Sequence, residues 1–139
     1  MLNNVKSLKL IVLFLLIIFF GAIVYLNALA EKEIKNGGAR RVIAAKQIKT
    51  LKEALDIYRL HNEFYPSTEQ GLVALVTKPT TPPEPKKYVE GGYMKIVPLD
   101  PWGNPFIYRN HGDNGHIDII SCGPDGEEGG EDDITNNYP

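Results

Sequence analysis

The residues best placed to do chemistry lie in the last third of the chain. After Arg109 there is no Lys or Arg, while the same stretch carries Asp113, Asp118, Asp125, Glu127, Glu128, Glu131, Asp132 and Asp133. Carboxylates packed this closely repel one another unless a cation compensates them. The segment Cys122 to Thr135 is also rich in glycine, at positions 123, 126, 129 and 130. Glycine lets a backbone fold tightly around an ion. Calcium is the natural guest, since it takes roughly six to eight oxygen ligands from carboxylates, backbone carbonyls and water. The EF-hand spacing is absent. On residue types alone, a calcium loop and a solvated acidic tail stand level.

Other chemistries fare worse. The single cysteine, Cys122, has no disulfide partner in the chain. Set after Ile119-Ile120-Ser121, it reads as a small buried hydrophobe rather than a nucleophile. The three histidines, His61, His111 and His116, are scattered near a helix end and turns, and read as surface or packing residues. No serine, cysteine or lysine nucleophile sits in a recognisable motif, and no phosphate-binding glycine loop follows a strand. Asp132-Asp133 are adjacent, whereas a glycosidase holds its two carboxylates apart across a cleft. A net charge of -2 gives no support to nucleic-acid binding. The chain therefore reads as a non-enzyme.

The elements that must position the acidic loop come earlier. The 139 residues suffice for one domain with a modest core. Leu10 to Leu26 is an uncharged apolar run, extended by Asn27-Ala28-Leu29-Ala30. As a helix it just spans a hydrocarbon layer of ~30 Å. Lys6 and Lys9 precede it and Glu31 and Glu33 follow, which places the N-terminus in the cytoplasm. Ala28-Leu29-Ala30 also resembles a signal-peptidase site, but the apolar run is long for a signal core, and a retained anchor is preferred. The expected division is a membrane helix over 1–30, a hinge over 31–38 and a globular domain over 39–139. Asn36-Gly37-Gly38 is the expected hinge or helix start.

From Ala39 to about His61 the pattern is helical, with Ala44, Ile48, Leu51, Leu55 and Tyr58 forming one apolar stripe. Tyr65-Pro66 ends that helix. Ser67-Thr68-Glu69-Gln70 fits a capping box for a short second helix that buries Leu72, Leu75 and Val76. Pro79 to Pro85 is an ordered surface loop. Phe106-Ile107-Tyr108-Arg109 and Ile117 to Ser121 are strands joined by the turn His111 to Gly115. Trp102 and Tyr93 are expected in the core. The class is α+β, a long helix packed on a small antiparallel sheet.

The order of these elements is specific. Ala54-Leu55-Asp56-Ile57-Tyr58 leads to Tyr65-Pro66-Ser67-Thr68-Glu69-Gln70-Gly71-Leu72. Then come Pro82-Pro83-Glu84-Pro85, Gly91-Gly92-Tyr93, Pro98-Leu99-Asp100-Pro101-Trp102-Gly103-Asn104-Pro105, Ser121-Cys122-Gly123-Pro124-Asp125-Gly126 and Asp132-Asp133-Ile134. Over roughly the last hundred residues, one ordinary domain, this resembles the major pseudopilin (protein G) family of type II secretion systems. The resemblance implies a type IV pilin-like fold in which a hydrophobic N-terminal helix continues into the domain helix. It implies a subunit that stacks with other pseudopilin subunits into a periplasmic filament, working with the inner-membrane secretion platform. The implied location is the inner membrane, single-pass, with the C-terminal domain periplasmic. It also implies bound calcium (Ca2+), held by the Asp125, Asp132 and Asp133 carboxylates and the backbone oxygens of Cys122 and Thr135.

The N-terminus departs from that family. Its members carry a peptidase site of Gly-Phe-x-x-x-Glu. No such string precedes residue 30, where Ser7 falls at the Gly position and Val12 at the Glu position. The departure keeps a second expectation alive: a non-filament, membrane-anchored or secreted calcium-stabilised module built on the same domain.

Overall fold

The computed structural model describes residues 2–111 and 116–136, with side chains for 11–32, 37–111 and 116–136. The expected turn at His111 to Gly115 lies mostly outside these residues. The element order is helix α1 (Leu2–Asn62), a 3-10 turn (Leu72–Leu75), and strands β1 (Ile107–Asn110), β2 (Ile117–Ser121) and β3 (Ile134–Thr135). Two compact units divide after Ala39.

The first unit is helix alone. Its large apolar residues, Ile11 to Leu29, are 39% to 68% exposed. It has no interior of its own. The helix also runs through Asn36-Gly37-Gly38, so no helix starts there as expected. Glycine costs a helix only ~1 kcal/mol relative to alanine, and propagation is cooperative. Two glycines with helical turns on either side do not stop it.

In the second unit, residues 40–139, α1 is one-sided. Ala44, Leu51, Leu55 and Tyr58 are 0% exposed and Ile48 is 2% exposed. These positions recur at three- and four-residue steps, so they share one face. Beside that stripe stand Lys52, whose ammonium meets Asp56 at 2.8 Å, and Arg59, which lies 5.0 Å from the Tyr65 ring centroid. The helix closes at Asn62. Glu63 takes a φ of 75° and its N–H donates to the Arg59 carbonyl at 2.7 Å.

The capping box forms as its spacing predicts. The Gln70 N–H donates to Ser67 Oγ at 3.2 Å, and the Ser67 N–H donates to Gln70 Oε1 at 3.0 Å. The segment it opens is a 3-10 turn rather than an α-helix. That turn buries Leu72, Ala74 and Leu75, while Val76, expected inside, is the half-buried cap. The Gln70 amide donates to the carbonyls of Thr81 and Pro83 at 2.7 and 3.2 Å, which holds the proline loop in place.

The sheet is antiparallel in the order β1-β2-β3. Tyr108 faces Ile119 and Asn110 faces Ile117 across the first pair. Strand period two sends Tyr108, Ile117 and Ile119 to the core, where they join the helix stripe, Leu72, Leu75, Phe106 and Ile134. Trp102 and Tyr93, expected in the core, are half-buried and pack against it. Strand β3 has no counterpart among the expected elements. It pairs Thr135 with Ile120 and Ile134 with Ser121.

Two tyrosines in and against the core have opposite polar accounts. Tyr93 Oη donates to the Lys87 carbonyl at 3.0 Å and accepts from Asn62 Nδ2 at 3.1 Å. Tyr58 Oη is buried without a partner, and burial, with Tyr93 and Tyr88 nearby, pushes its phenol up to about 12. A buried polar group left unpaired costs ~1–3 kcal/mol. Tyr58→Phe therefore leaves stability unchanged or raises it by up to ~1 kcal/mol, whereas Tyr93→Phe lowers it by ~1–2 kcal/mol. Urea unfolding of the full chain in detergent, followed by fluorescence, measures both. A larger loss from Tyr58→Phe than from Tyr93→Phe would overturn this account.

Candidate metal centre

The acidic loop leaves β2 and comes back to it. Cys122 follows the last residue of β2, and β3 returns the chain so that Thr135 sits opposite Ile120. Asn136 secures the return. Its Oδ1 accepts from the Ile119 N–H at 2.8 Å, its Nδ2 donates to the Ile117 carbonyl at 2.9 Å, and its N–H donates to the Ile119 carbonyl at 3.2 Å. The residues between form a closed excursion whose two mouths share one strand.

The outgoing mouth is held by a buried carboxylate, Asp100, only 5% exposed. Its Oδ1 accepts from the backbone N–H groups of Trp102 and Asn104 at 3.0 and 2.8 Å. Its Oδ2 accepts from Ser121 Oγ, on β2, at 2.7 Å. The Asn104 amide, fixed by that turn, donates to the Gly123 carbonyl at 3.0 Å. The turn Asp100 to Asn104 thus grips both the end of β2 and the start of the loop.

Inside the loop a glycine is sterically required at position 123, and carboxylate side chains close on a second at position 130. Gly123 has a φ of +66°, and a Cβ there would stand 2.7 Å from Asp132 Oδ2 and 2.8 Å from the Asp132 carbonyl. A Cβ on Gly130 would overlap Asp132 Oδ1 and lie 3.5 Å from Asp125 Oδ2. The carboxylates of Asp125 and Asp132 therefore crowd the same glycine from two sides. Asp125 Oδ1 accepts from the Glu127 N–H at 3.0 Å, and Asp133 Oδ2 accepts from the Gly129 N–H at 2.8 Å. Asp133 Oδ1 is buried and has no partner.

The electrostatics are one-sided. Burial pushes the Cys122 thiol up, and the carboxylates of Asp133, Glu128, Asp100 and Asp125 push the same way. Arg109 on β1 answers one of the loop acids. Its guanidinium meets Glu128 in a two-pronged pair at 2.5 Å, which lowers the Glu128 carboxyl below its usual range. Among the described residues, Asp125, Asp132 and Asp133 take part in no such ion pair.

Of the residues expected to act, Asp125 and Asp132 converge on Gly130, and Asp133 turns one oxygen inward. Cys122, buried and not disulfide-bonded, and Thr135, in β3, stand at the two mouths. Among the described residues no three His, Cys, Asp or Glu side chains gather around one point. Backbone oxygens would have to complete any coordination shell. An unpaired buried carboxylate oxygen, a glycine cradle and an all-oxygen donor set fit a hard cation such as calcium. The residues that sequence reading missed are Asp100, Ser121, Asn104 and Glu128. Only Asp100 left a signal: an acid two residues before Trp102 and four before Asn104 in a Pro-Gly turn, the spacing of an Asx turn.

Comparison with known proteins places this geometry among relatives. A family model described as type II secretion system (T2SS), protein G matches residues 33–137. The type II secretion system core protein G of Aeromonas hydrophila is 46% identical over 129 residues, 93% of this chain and 87% of the relative. That of Vibrio cholerae is 52% identical over 105 residues, 76% of this chain and 68% of the relative. Among solved structures, the major pseudopilin from the type 2 secretion system of enterohaemorrhagic Escherichia coli is similar with a TM-score of 0.67 at 47% identity. The match covers 73% of this chain and 90% of that one.

Removing the Asp100 carboxylate strands its three donors. Asp100→Ala should lower the unfolding free energy by about 2–4 kcal/mol, and Asp100→Asn, which keeps an acceptor for the turn, by distinctly less. Trp102 fluorescence in a urea titration reports both. Equal losses for the two variants would show that the acceptor oxygen that Asn keeps for the turn does not anchor the loop.

Proposed function

The chain belongs to the protein G family of type II secretion systems and is a pseudopilin subunit of that system; on that premise we propose how it is placed and assembled. Pseudopilins of this family are structural subunits. Residues 10–30 form the anchor, single-pass in the inner membrane, with Lys6 and Lys9 on the cytoplasmic side and residues 39–139 in the periplasm. Copies stack their N-terminal helices into a periplasmic filament that drives protein export across the outer membrane, on the inner-membrane secretion platform.

The observation that carries this reading is the change in α1. Past residue 40 its apolar residues divide, some lining one buried stripe and Val42, Ile43, Ile57 and Leu60 standing exposed. Before residue 30 they cover every side and are exposed. A helix apolar all round is stable only when lipid or other helices cover it. The anchored, non-filament module has one point in its favour, the Ser7 and Val12 departures. The two arrangements are separable. In a host with the complete secretion system, a Leu16→Cys, Cys122→Ser chain, with its single thiol, should give a disulfide-linked dimer under an oxidant, and Glu84→Cys should react with a membrane-impermeant maleimide in intact spheroplasts. Monomer alone would sink the filament, and labelling only after lysis would sink the topology.

Calcium is the second part of the proposal. Asp125, Asp132 and Asp133 would hold it with backbone oxygens of Cys122 and Thr135. Bound calcium supplies positive charge to a loop whose acids otherwise repel. The protein contributes the closed excursion from β2, the Gly123 and Gly130 cradle, and the buried Asp133 oxygen. An ion bound only by the folded state adds stability that grows with its concentration above the dissociation constant. Sites of extracellular type bind at roughly 10⁻⁴–10⁻³ M. Asp125→Ala or Asp132→Ala should lower the melting temperature in calcium, with little change in excess chelator. Equal losses in both conditions would refute the ligand assignment.

A further inference from the structure

Outside the acidic loop, the β1–β2 hairpin brings side chains of metal-ligating type close together. The ladder continues one step beyond the strands. The His111 N–H donates to the His116 carbonyl at 3.0 Å, next to the Asn110–Ile117 pair. His111 and His116 are therefore cross-strand neighbours. Strand alternation sets them on the face opposite Tyr108, Ile117 and Ile119, which are buried. Asp118 shares that outer face, two residues from His116 and diagonal to His111. His111 Nε2 and Asp118 Oδ2 are already 2.6 Å apart, with side chains 50% and 30% exposed. His116 is exposed.

We infer that His111, His116 and Asp118 form a surface site for a borderline divalent transition metal, with Zn2+ as its simplest occupant. Two imidazoles and one carboxylate are a donor set that suits zinc or copper, with remaining positions left to water. It does not suit calcium, which prefers oxygen throughout. Among the described residues the three side chains are not yet gathered around one point. Binding needs the exposed His116 ring to turn toward the existing His111–Asp118 pair, a rotamer change that breaks no core contact. The charged neighbours on the same face are Arg109, opposite Asp118, and Glu128, which pairs with Arg109 at 2.5 Å and offsets its charge.

The experiment is isothermal titration of Zn2+ into the full, tag-free chain in detergent, with calcium saturating so that the acidic loop does not compete. One equivalent should bind. His111→Ala and His116→Ala should each weaken binding at least tenfold, Asp118→Asn should weaken it less, and His61→Ala should leave it unchanged. Melting curves in chelator should show all four variants folded like the parent. The inference is overturned if Zn2+ does not bind, or if binding survives His111→Ala and His116→Ala together. It is equally overturned if His61→Ala matters as much as either.

Discussion

The second unit depends on a carboxylate that is hardly exposed. Asp100 accepts two backbone N–H groups of its own turn and the hydroxyl of Ser121, which is 0% exposed. A buried charge is tolerated only when its hydrogen bonds are complete, and once complete they fix the groups around them. The turn therefore has one conformation, and Asn104 within it has one direction to point, toward Gly123. From there the path of the acidic loop is determined. Its start is set by Asn104 and its return by β3 on β2.

The same helix meets two environments through one geometric rule. Residues three and four apart lie on one face. From Ala44 to Tyr58 one apolar face is buried, and Ile57 is the large apolar residue left exposed off it. From Ile11 to Leu29 every face is apolar, and none is covered within the chain. Lys52, Asp56 and Tyr65 show how the soluble part deals with its water side. The Tyr65 hydroxyl donates to Asp56 at 2.6 Å while Lys52 holds the same carboxylate, which stays below its usual range despite partial burial. Among the described residues, the apolar part has no comparable arrangement.

Much of the fold was legible because it rests on periodicity. Ala44, Ile48, Leu51, Leu55 and Tyr58 announce a helix face. Ile117 and Ile119 announce a strand, and Ser67 with Gln70 announces a cap. What was not legible lacks a period. Two residues of β3 are too few to alternate, so Ile134 and Thr135 read as loop. Gly37 and Gly38 read as a break, since propensity counts residues singly while a helix propagates cooperatively. Val76 continued a helical pattern that the chain realises as a tighter 3-10 turn. In the loop, acids and glycines could be seen from composition. Which oxygen lies buried and unpaired, and which glycine faces Asp132, depend on the return through β3. Asp100 is the plainest case. An aspartate in a Pro-Gly turn reads the same whether it faces water or a buried serine.

Strand β3 also sets an order in time. Ile134, 3% exposed, belongs to the same core as Ala44, close to the opposite end of the second unit. The helix stripe and the β1–β2 hairpin can form from nearby residues as they emerge. The core stays open until Ile134 arrives and pairs beside Ser121. Contacts between residues so far apart in sequence form late and slowly. A chain halted before Ile134, during synthesis or transit, would keep Ile119 and Ser121 on an unpaired sheet edge and leave the loop untied. Completion of the core thus registers that the chain has been delivered as far as β3.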